Sequence, residues 1–256
     1  MTRFRVLQFN MQFGQCWDDA CPDRAPVRLD LTIDEIRRHE ADIVLLQEVE
    51  QAQPEGRQVV PPPNYTRLRA AIPGYHGWFS YPRADVRELP FGIGLAILSR
   101  TELEECTRLD LPSPPVEFEF MGRKTTPTDR LLIGARTRIG GREVRLLNTH
   151  LLAFFMLGSS STRHPDQRRM VVDQLAAAPG PALLAGDFNV SSHASLVAQF
   201  AERGLRTVQA GAATWRRRPF VLDHIFHNDG LRCVGHRVEP TPASDHHVLV
   251  ADFEFA

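Results

Sequence analysis

The sequence contains a succession of short apolar runs separated by polar and proline-rich segments. Runs of this length predict β-strands, and the run at residues 43–46, which is apolar throughout, predicts a strand buried on both faces. The predicted strands are residues 4–9, 43–46, 95–98, 131–136, 144–147, 182–185, 221–226 and 248–253.

Few helices are predicted between these strands. Leu29, Ile33 and Ile36 repeat at helical spacing between the first two runs, which gives a β-α-β unit. Further helices are predicted at residues 166–177 and 192–203. Many strands with few helices favour an α/β fold in which mixed sheets are covered by helices.

Length and charge limit the domain organisation and the partners. The 256 residues carry 30 Lys and Arg against 31 Asp and Glu, a formal net charge of −1. This balance gives no global attraction to polyanions, so any nucleic-acid affinity must come from a local basic patch. Strands resume after the proline-rich stretches 61–63 and 111–128, which are therefore interpreted as surface loops. Residues 1–256 are predicted to form a single domain.

The sequence predicts neither export nor membrane insertion. The N-terminus lacks the apolar segment of a signal peptide, and no window approaches the run of about 18 apolar residues that a membrane span needs. The four cysteines include no C-x-x-C pair, and reduced thiols are expected. A cytoplasmic monomer is therefore predicted.

Polar residues stand at the ends of these strands. They follow four of the early runs and precede or open two of the last, at Asn10, Glu48, Asn148, His150, Asp187, Asn189, Asp223, Asp245 and His246. If the last strands run antiparallel to the earlier ones, all these groups meet on one rim of the sheets, where ligands tend to bind. Taken singly, each residue has a structural explanation as a turn residue, a helix cap or a buried histidine.

Together the rim groups suit metal-assisted hydrolysis. Asn10, Glu48 and Asp245 offer the oxygen ligands that Mg²⁺ or Mn²⁺ prefers, with substrate phosphate oxygens completing the shell. His246 can act as a general base towards water, and Asp223 would fix its tautomer and favour its protonated form. These are the components of metal-assisted attack of water on phosphorus.

Competing chemistries leave no matching motif. The sequence has no G-x-S-x-G elbow, no G-x-x-x-x-G-K-[ST] loop and no H-E-x-x-H zinc helix. Ten histidines invite a zinc interpretation, but most of the strand-end groups are oxygen donors. His224 points to the opposite sheet face from Asp223 and is predicted to be structural.

The ordered motifs resemble those of the endonuclease/exonuclease/phosphatase superfamily, which has the fold of pancreatic deoxyribonuclease. The match runs from about Phe4 to Phe253 and rests on six motifs, Phe9-Asn10, Leu46-Gln47-Glu48-Val49, Asn148-Thr149-His150-Leu151, Gly186-Asp187-Phe188-Asn189, Leu222-Asp223-His224-Ile225-Phe226 and Ser244-Asp245-His246-His247. The resemblance, strongest to the general bacterial branch, implies a four-layer α/β/β/α sandwich of two packed mixed β-sheets flanked by helices.

The resemblance also implies a role for each rim residue. Asn10, Glu48 and Asp245 would serve the metal site, and Asp223 would orient His246. Asp187 and Asn189 would position the nucleophile or protonate the leaving group, His150 would contact the scissile phosphate, and Asn148 would bind substrate.

Departures from the family's patterns narrow the substrate. Abasic-site endonucleases usually carry a tyrosine at the position of His150 and an aspartate at that of Gln12. Inositol polyphosphate phosphatases carry a Trp-Cys-Asp-Arg motif where this chain has Val-Leu-Asp-His at 221–224. His150 agrees better with the deoxyribonuclease, sphingomyelinase and general bacterial branches.

Two segments near the rim can select the substrate. The first segment consists of Arg216, Arg217 and Arg218, which follow Trp215. These arginines either bind phosphates beside an aromatic stacking surface or form a solvated basic loop. Residues 151–157 form either an apolar rim for a lipid or base, or part of the core.

The sequence therefore predicts a phosphoesterase that depends on Mg²⁺ or Mn²⁺. We expect a nuclease-type phosphodiesterase acting on short or single-stranded nucleic acid or on small phosphodiesters. The alternatives are a lipid phosphodiesterase of the sphingomyelinase type or a phosphomonoesterase using the same site, and a non-catalytic binding protein. Retention of every charged rim group argues against the binding protein.

Overall fold

The computed structural model describes residues 2–256. Sixteen strands lie in this range, namely β1 (Arg3–Asn10), β2 (Ile43–Gln47), β3 (Glu50–Gln51), β4 (His76–Ser80), β5 (Gly92–Ile93), β6 (Leu95–Ser99), β7 (Glu104–Leu111), β8 (Phe118–Phe120), β9 (Arg123–Thr125), β10 (Arg130–Ile139), β11 (Arg142–His150), β12 (Ala182–Asp187), β13 (Arg206–Thr207), β14 (Asp223–His227), β15 (Leu231–Glu239) and β16 (Val248–Phe255). The four α-helices are α1 (Leu29–His39), α2 (Pro63–Ala71), α3 (Asp166–Ala176) and α4 (His193–Ala201). Short 3-10 turns occupy Gln12–Gly14, Pro22–Arg24, Pro54–Gly56 and Phe154–Leu157.

Two mixed six-stranded sheets dominate the structure. The first has the order β15-β16-β1-β2-β6-β4, and the second has the order β13-β14-β12-β11-β10-β7. In the first sheet β1 is parallel to β2 and antiparallel to β16. In the second, β12 is parallel to β11 and antiparallel to β14. The condition for convergence of the rim groups, that the last strands run antiparallel to the earlier ones, is therefore met.

The two sheets pack face to face, and helices cover their outer faces. Alternate side chains of β1 show the division, because Val6 belongs to the core between the sheets and Leu7 to the core beneath α1 and α2. A third core packs α3 and α4 against the second sheet through Val171 and Phe200, among others. The result is the expected four-layer α/β/β/α sandwich. Both sheets combine strands from distant parts of the chain, which supports the proposed single domain.

The interpretation of the proline-rich stretches as loops was wrong in part. Helix α2 begins at Pro63, the third proline of its stretch. Proline suits the first turn of a helix because the backbone N–H that it lacks has no partner there. Within 111–128, strand β7 extends to Leu111 and the short strands β8 and β9 pair as a hairpin.

None of the helices within residues 2–256 has the length and apolarity required to cross a membrane.

Candidate active site

The predicted rim residues meet where the carboxyl ends of β1, β2, β11 and β12 lie beside the starts of β14 and β16. Across paired strands, His150 lies opposite Asp187, and Asp187 lies opposite Asp223. Glu48 and Asn189 each take a left-handed backbone conformation, with φ of 50° and 51°, directly after or near the end of a strand. Such residues cost roughly 1–3 kcal/mol and concentrate at functional sites.

His246 and Asp223 form a hydrogen-bonded pair at the centre of the rim. Nδ1 of His246 lies 2.8 Å from Oδ2 of Asp223, and its Nε2 lies 3.7 Å from Oδ2 of Asp187. Gln8 donates from Nε2 to the other oxygen of Asp223 at 2.7 Å. The carboxylate of Asp223 therefore makes Nδ1 of the histidine the hydrogen-bond donor and leaves Nε2 facing the rim.

A buried threonine positions this pair. Oγ1 of Thr214 accepts the N–H groups of Leu222 and Asp223 at 3.0 and 3.1 Å, at the start of β14, which begins at Asp223 rather than at residue 221 as predicted. The carbonyl of Thr214 accepts the N–H of His247 at 2.7 Å. One residue thus ties the segment that carries Asp223 to the segment that carries His246.

The environment of His246 favours its protonated form, as predicted. Burial lowers the pKa of His246, but the charges of Asp223 and Asp187 outweigh burial and hold the pKa well above its ordinary value. The pKa of His150 moves the other way, because burial and the positive charges of Arg130 and His246 lower it well below the usual range. The acidic surroundings of His246 therefore make it the stronger base of the two rim histidines, whereas His150 favours its neutral form.

Carboxylates and amides form a second cluster beside this pair. Nδ2 of Asn10 lies 3.0 Å from Oε1 of Glu48 and 3.1 Å from Oδ2 of Asp187. Nε2 of His150 is 3.8 Å from the same Glu48 oxygen and 3.6 Å from the same Asp187 oxygen. Two groups of three residues each place possible metal-ligand atoms within 4.8 Å of one another. One group is Glu48, His150 and Asp187, and the other is Asp187, Asp223 and His246.

The electrostatics of this cluster fit a bound cation. The pKa of Glu48 is raised to about 7, because burial and the charge of Asp245 raise it more than the hydrogen bond from Asn10 lowers it. Burial and the charge of Asp223 raise the pKa of Asp187. Buried carboxylates with raised pKa values lack sufficient positive charge around them, and a hard divalent ion would supply it.

Asp245 is held by the aromatic and basic segment that follows Thr214. Its Oδ2 atom accepts hydrogen bonds from Nε1 of Trp215 at 3.1 Å and from Nε of Arg217 at 2.8 Å. Arg217 also pairs with Asp23 at 2.6 Å, and Arg216 donates to the carbonyl of Thr241 at 2.8 Å.

Arg216 and Arg217 are thus held by hydrogen bonds within the protein, whereas Arg218 is exposed. The guanidiniums of Arg216 and Arg217 each lie 5.7 Å from the ring centre of Trp17, and that of Arg218 lies 5.9 Å from the ring centre of Phe220. Two of the three side chains therefore make hydrogen bonds that hold the site together.

Asn148 lies deeper than a substrate contact requires. It is fully buried, its Nδ2 donates to the carbonyls of Leu46 and Ala96 at 2.9 Å, and its Oδ1 accepts Nε2 of Gln47 at 2.7 Å. Gln47 in turn accepts a hydrogen bond from Gln8 at 2.7 Å. We therefore propose that Asn148 links the two sheets rather than binding substrate.

Residues 151–157 divide between core and rim. Phe154 is 2% exposed and belongs to the core, whereas Met156 is 65% exposed. Between them, the ring of Phe155 packs 5.8 Å from Trp215 and 5.4 Å from Phe220. Since the ring centre of Trp215 is 6.3 Å from that of His246, an aromatic surface adjoins the site.

Several site residues escaped the sequence analysis. Gln8, Gln47 and Thr214 position other groups, and Arg130 contributes charge beside Glu48 and His150 with its Nε buried and unpartnered. Gly92 lies so close to Glu48 that a Cβ at this position would stand 2.1 Å from Oε2. The only sequence signal was the presence of polar residues within or beside apolar runs.

His224 lies away from the rim. It is buried, its ring stacks 5.2 Å from that of Phe226, and its Nδ1 lies 3.2 Å from the hydroxyl of Thr207. The structure therefore agrees with its predicted structural role.

Comparison with known proteins identifies the family. The profile described as "Endonuclease/Exonuclease/phosphatase family" matches residues 7–246, nearly the whole chain. The chain belongs to the endonuclease/exonuclease/phosphatase family. Enzymes of this family depend on metal ions, and the carboxylate and histidine clusters described above are groups of the kind that bind one.

Two curated relatives match less than half of this chain. A "UPF0294 protein" of Yersinia pseudotuberculosis serotype O:1b is 34% identical over 119 residues, and one of Yersinia pestis matches to the same extent. The matched region spans 44% of this chain and 44% of the length of these relatives.

Solved structures share the fold over 98% or more of the chain. The Beutenbergia cavernae endonuclease/exonuclease/phosphatase has a TM-score of 0.73 at 22% identity, covering 100% of this chain and 72% of that one. The human Nocturnin catalytic domain with bound sulfate has a TM-score of 0.66 at 23% identity, covering 100% and 94%. A mannosyl-6-phosphatase of Bacteroides thetaiotaomicron has a TM-score of 0.70 at 17% identity, covering 98% and 100%. At these identities the likeness shows the fold.

Proposed function

We propose that this protein is a phosphodiesterase of nuclease type that depends on Mg²⁺ or Mn²⁺ and uses water as the nucleophile. The observation that carries the proposal is the His246–Asp223 pair, joined at 2.8 Å, whose free Nε2 faces a cluster of buried carboxylates. A general base beside a site for a divalent cation is the arrangement that hydrolysis of a phosphate ester requires.

Asn10, Glu48 and Asp245 are proposed to hold the cation. When bound, it would stabilise negative charge on the phosphoryl oxygens and lower the pKa of a water molecule. Gly92 leaves room for the carboxylate of Glu48, and Trp215 and Arg217 orient Asp245 through its Oδ2 atom.

The remaining residues are proposed to move protons and to hold the phosphate. Nε2 of His246 would accept a proton from the attacking water, and Asp223 would stabilise the imidazolium that results. Asp187, whose pKa burial raises, would protonate the leaving oxygen. The N–H of Asn189 donates to Oδ1 of Asp187 at 2.9 Å and orients it. His150, with its lowered pKa, would donate a hydrogen bond to the scissile phosphate as a neutral imidazole.

Short or single-stranded nucleic acid is the proposed substrate class. The surface formed by Phe155, Trp215 and Phe220 adjoins His246 and suits stacking of a base. The pairing of Arg217 with Asp245 and Asp23 removes this arginine from the cations beside the site that could contact the phosphates of a long duplex.

The test is a screen of substrates with added Mg²⁺ or Mn²⁺. We expect hydrolysis of bis(4-nitrophenyl) phosphate and of short single-stranded oligonucleotides, faster than that of duplex DNA, phospholipids or the monoester 4-nitrophenyl phosphate. His246→Ala, purified in parallel, controls for contaminating enzymes. Faster release of a phospholipid head group would favour the lipid phosphodiesterase, and faster hydrolysis of the monoester would favour a phosphomonoesterase. Absence of hydrolysis of every ester would contradict the proposal.

A further inference from the structure

A cleft of hydroxyl groups adjoins the proposed catalytic rim on the side of Asn189. It lies between the 3-10 turn at Phe154–Leu157, with the loop that follows, and the segment that leads into α4. The cleft is small and partly open to solvent, and its polar walls come from Ser160, Ser161, Thr162, Ser191 and Ser192. Among the residues that the structure describes, none of those lining it is acidic.

A buried arginine lies directly behind this wall. Arg168 of α3 is 4% exposed, and within residues 2–256 all its hydrogen-bond partners are neutral. Burial is the cause that lowers the pKa of its guanidinium. A buried charge with only neutral partners is costly, and an anion close by would offset that cost.

One hydrogen-bond partner of Arg168, Ser161, also lines the cleft. Its Nη1 atom donates to the hydroxyl of Ser161 at 3.2 Å and to that of Ser195 at 3.3 Å. Its Nη2 atom donates to the carbonyl of Ser195 at 2.8 Å, and its Nε donates to Gln199 at 2.9 Å. A hydroxyl that accepts from a guanidinium becomes a stronger donor through its own proton. Ser161, which also lines the cleft, is the residue placed to transmit this effect.

The α4 N-terminus adds donors to the same cleft. Ser192 is the N-cap of α4, yet its side chain makes no capping hydrogen bond. Ser192 and its neighbour Ser191 are exposed, and both line the cleft together with Ser161. Asn189 belongs both to this cleft and to the proposed catalytic rim, because its N–H donates to Asp187.

We infer that this cleft binds a second phosphate group of the substrate, next to the phosphodiester that is cleaved. The positive charge comes from Arg168, the donors are the serine and threonine hydroxyls, and Asn189 separates the cleft from the reacting centre. The identity of the ligand as part of the substrate rests on the proposed function, whereas the capacity to bind phosphate does not.

The first experiment measures phosphate binding without catalysis. The titration is done in EDTA so that no metal ion at the rim can bind phosphate, and the Ser161→Ala variant distinguishes the cleft from any other anion site. We expect phosphate to raise the Tm of the wild-type protein in a saturable way, beyond sodium chloride of equal ionic strength. Ser161→Ala should lose this rise. Gln199→Ala is the matched control, because Gln199 also accepts a hydrogen bond from Arg168 but does not line the cleft, so this variant should keep the rise.

Two results would overturn the phosphate site. One is a Tm that phosphate raises no more than chloride does. The other is an equal rise in the Ser161→Ala variant.

The second experiment tests whether the bound phosphate belongs to the substrate. We compare the dinucleotide dTpdT with its 5′-phosphorylated and 3′-phosphorylated forms, in saturating metal. One phosphorylated form should show a kcat/KM about tenfold higher or more, the effect of a charge-assisted hydrogen bond. This preference should fall to near one in Ser161→Ala and persist in Gln199→Ala.

Equal kcat/KM for all three dinucleotides would overturn the assignment to substrate. If none of the three is hydrolysed, the proposed nuclease function fails, and the phosphate titration still decides whether the cleft binds an anion.

Discussion

Replacement of Glu35 by glutamine should destabilise the protein by an amount that depends on pH. Glu35 lies on α1, where Oε1 accepts hydrogen bonds from Arg38 at 2.5 Å and lies 2.9 Å from Nε2 of His39. Its Oε2 accepts the hydroxyl of Thr241 at 3.0 Å. Burial raises the pKa of Glu35, but these hydrogen bonds outweigh burial and lower the pKa to about 2.

The lowered pKa of Glu35 gives the size of its contribution to stability and the direction in which that contribution changes with pH. The folded protein favours the charged carboxylate, so the stabilisation is complete above the ordinary pKa of 4.5 and is lost as the pH falls through 2. A difference of this size corresponds to about 3 kcal/mol at pH 7, and about 2 kcal/mol of it remains at pH 3.5. Glutamine, which carries no charge, would not show this dependence.

The assay is urea unfolding at pH 7 and at pH 3.5. The free energy of unfolding of Glu35→Gln should lie about 3 kcal/mol below that of the wild type at pH 7, and the gap should narrow by about 1 kcal/mol at pH 3.5. Asp34→Asn is the matched control, because Asp34 is 71% exposed and 3.5 Å from Arg37. Asp34→Asn should change the free energy of unfolding by no more than about 0.5 kcal/mol at either pH. A Glu35→Gln variant as stable as the wild type at pH 7, or a gap that is equal at both pH values, would refute the reasoning.

Four further predictions concern the site. Chelation by EDTA should abolish hydrolysis and Glu48→Gln should raise the metal concentration needed, with the circular dichroism spectrum unchanged; full activity in EDTA would contradict the mechanism. His246→Ala should lose most of the turnover, and Asp223→Asn should reduce kcat at least about 10²-fold. A wild-type kcat for His246→Ala at saturating metal would show that His246 is not the general base. The affinity for oligonucleotides should fall with salt at a slope of only about two or three phosphate contacts, because Arg217 is paired; a slope of many contacts would exclude the small-substrate proposal. Gly92→Ala should reduce kcat roughly 10²-fold by displacing Glu48, so wild-type kinetics in this variant would show that Glu48 is not positioned as described.

The strands and the rim were predictable because their signals are local. Each apolar run marks a strand, and a polar residue at its end marks the place where the chain leaves the sheet. The position of Asp223 and His246 needed only one further condition, that β14 and β16 run antiparallel to their neighbours, and the structure meets it.

The supporting contacts were not predictable because they depend on how distant segments pack. Gln8 and Gln47 reach across from one sheet to the other, and Arg217 turns back to Asp245 rather than outward. Helix α2 was missed because a row of prolines ordinarily indicates a loop, while its third member could begin a helix. Residues that touch only after the sheets have met leave little local pattern in the sequence.

The chain of buried amides between the sheets has a consequence for heat inactivation. Gln8 of the first sheet fixes Asp223 of the second, and Gln47 of the first fixes Asn148 of the second, so the general base is oriented only while both layers are in register. A state in which one sheet has loosened would keep its strands but lose the alignment of His246. Loss of turnover on heating should therefore coincide with cooperative separation of the two layers, and no half-folded enzyme should retain activity.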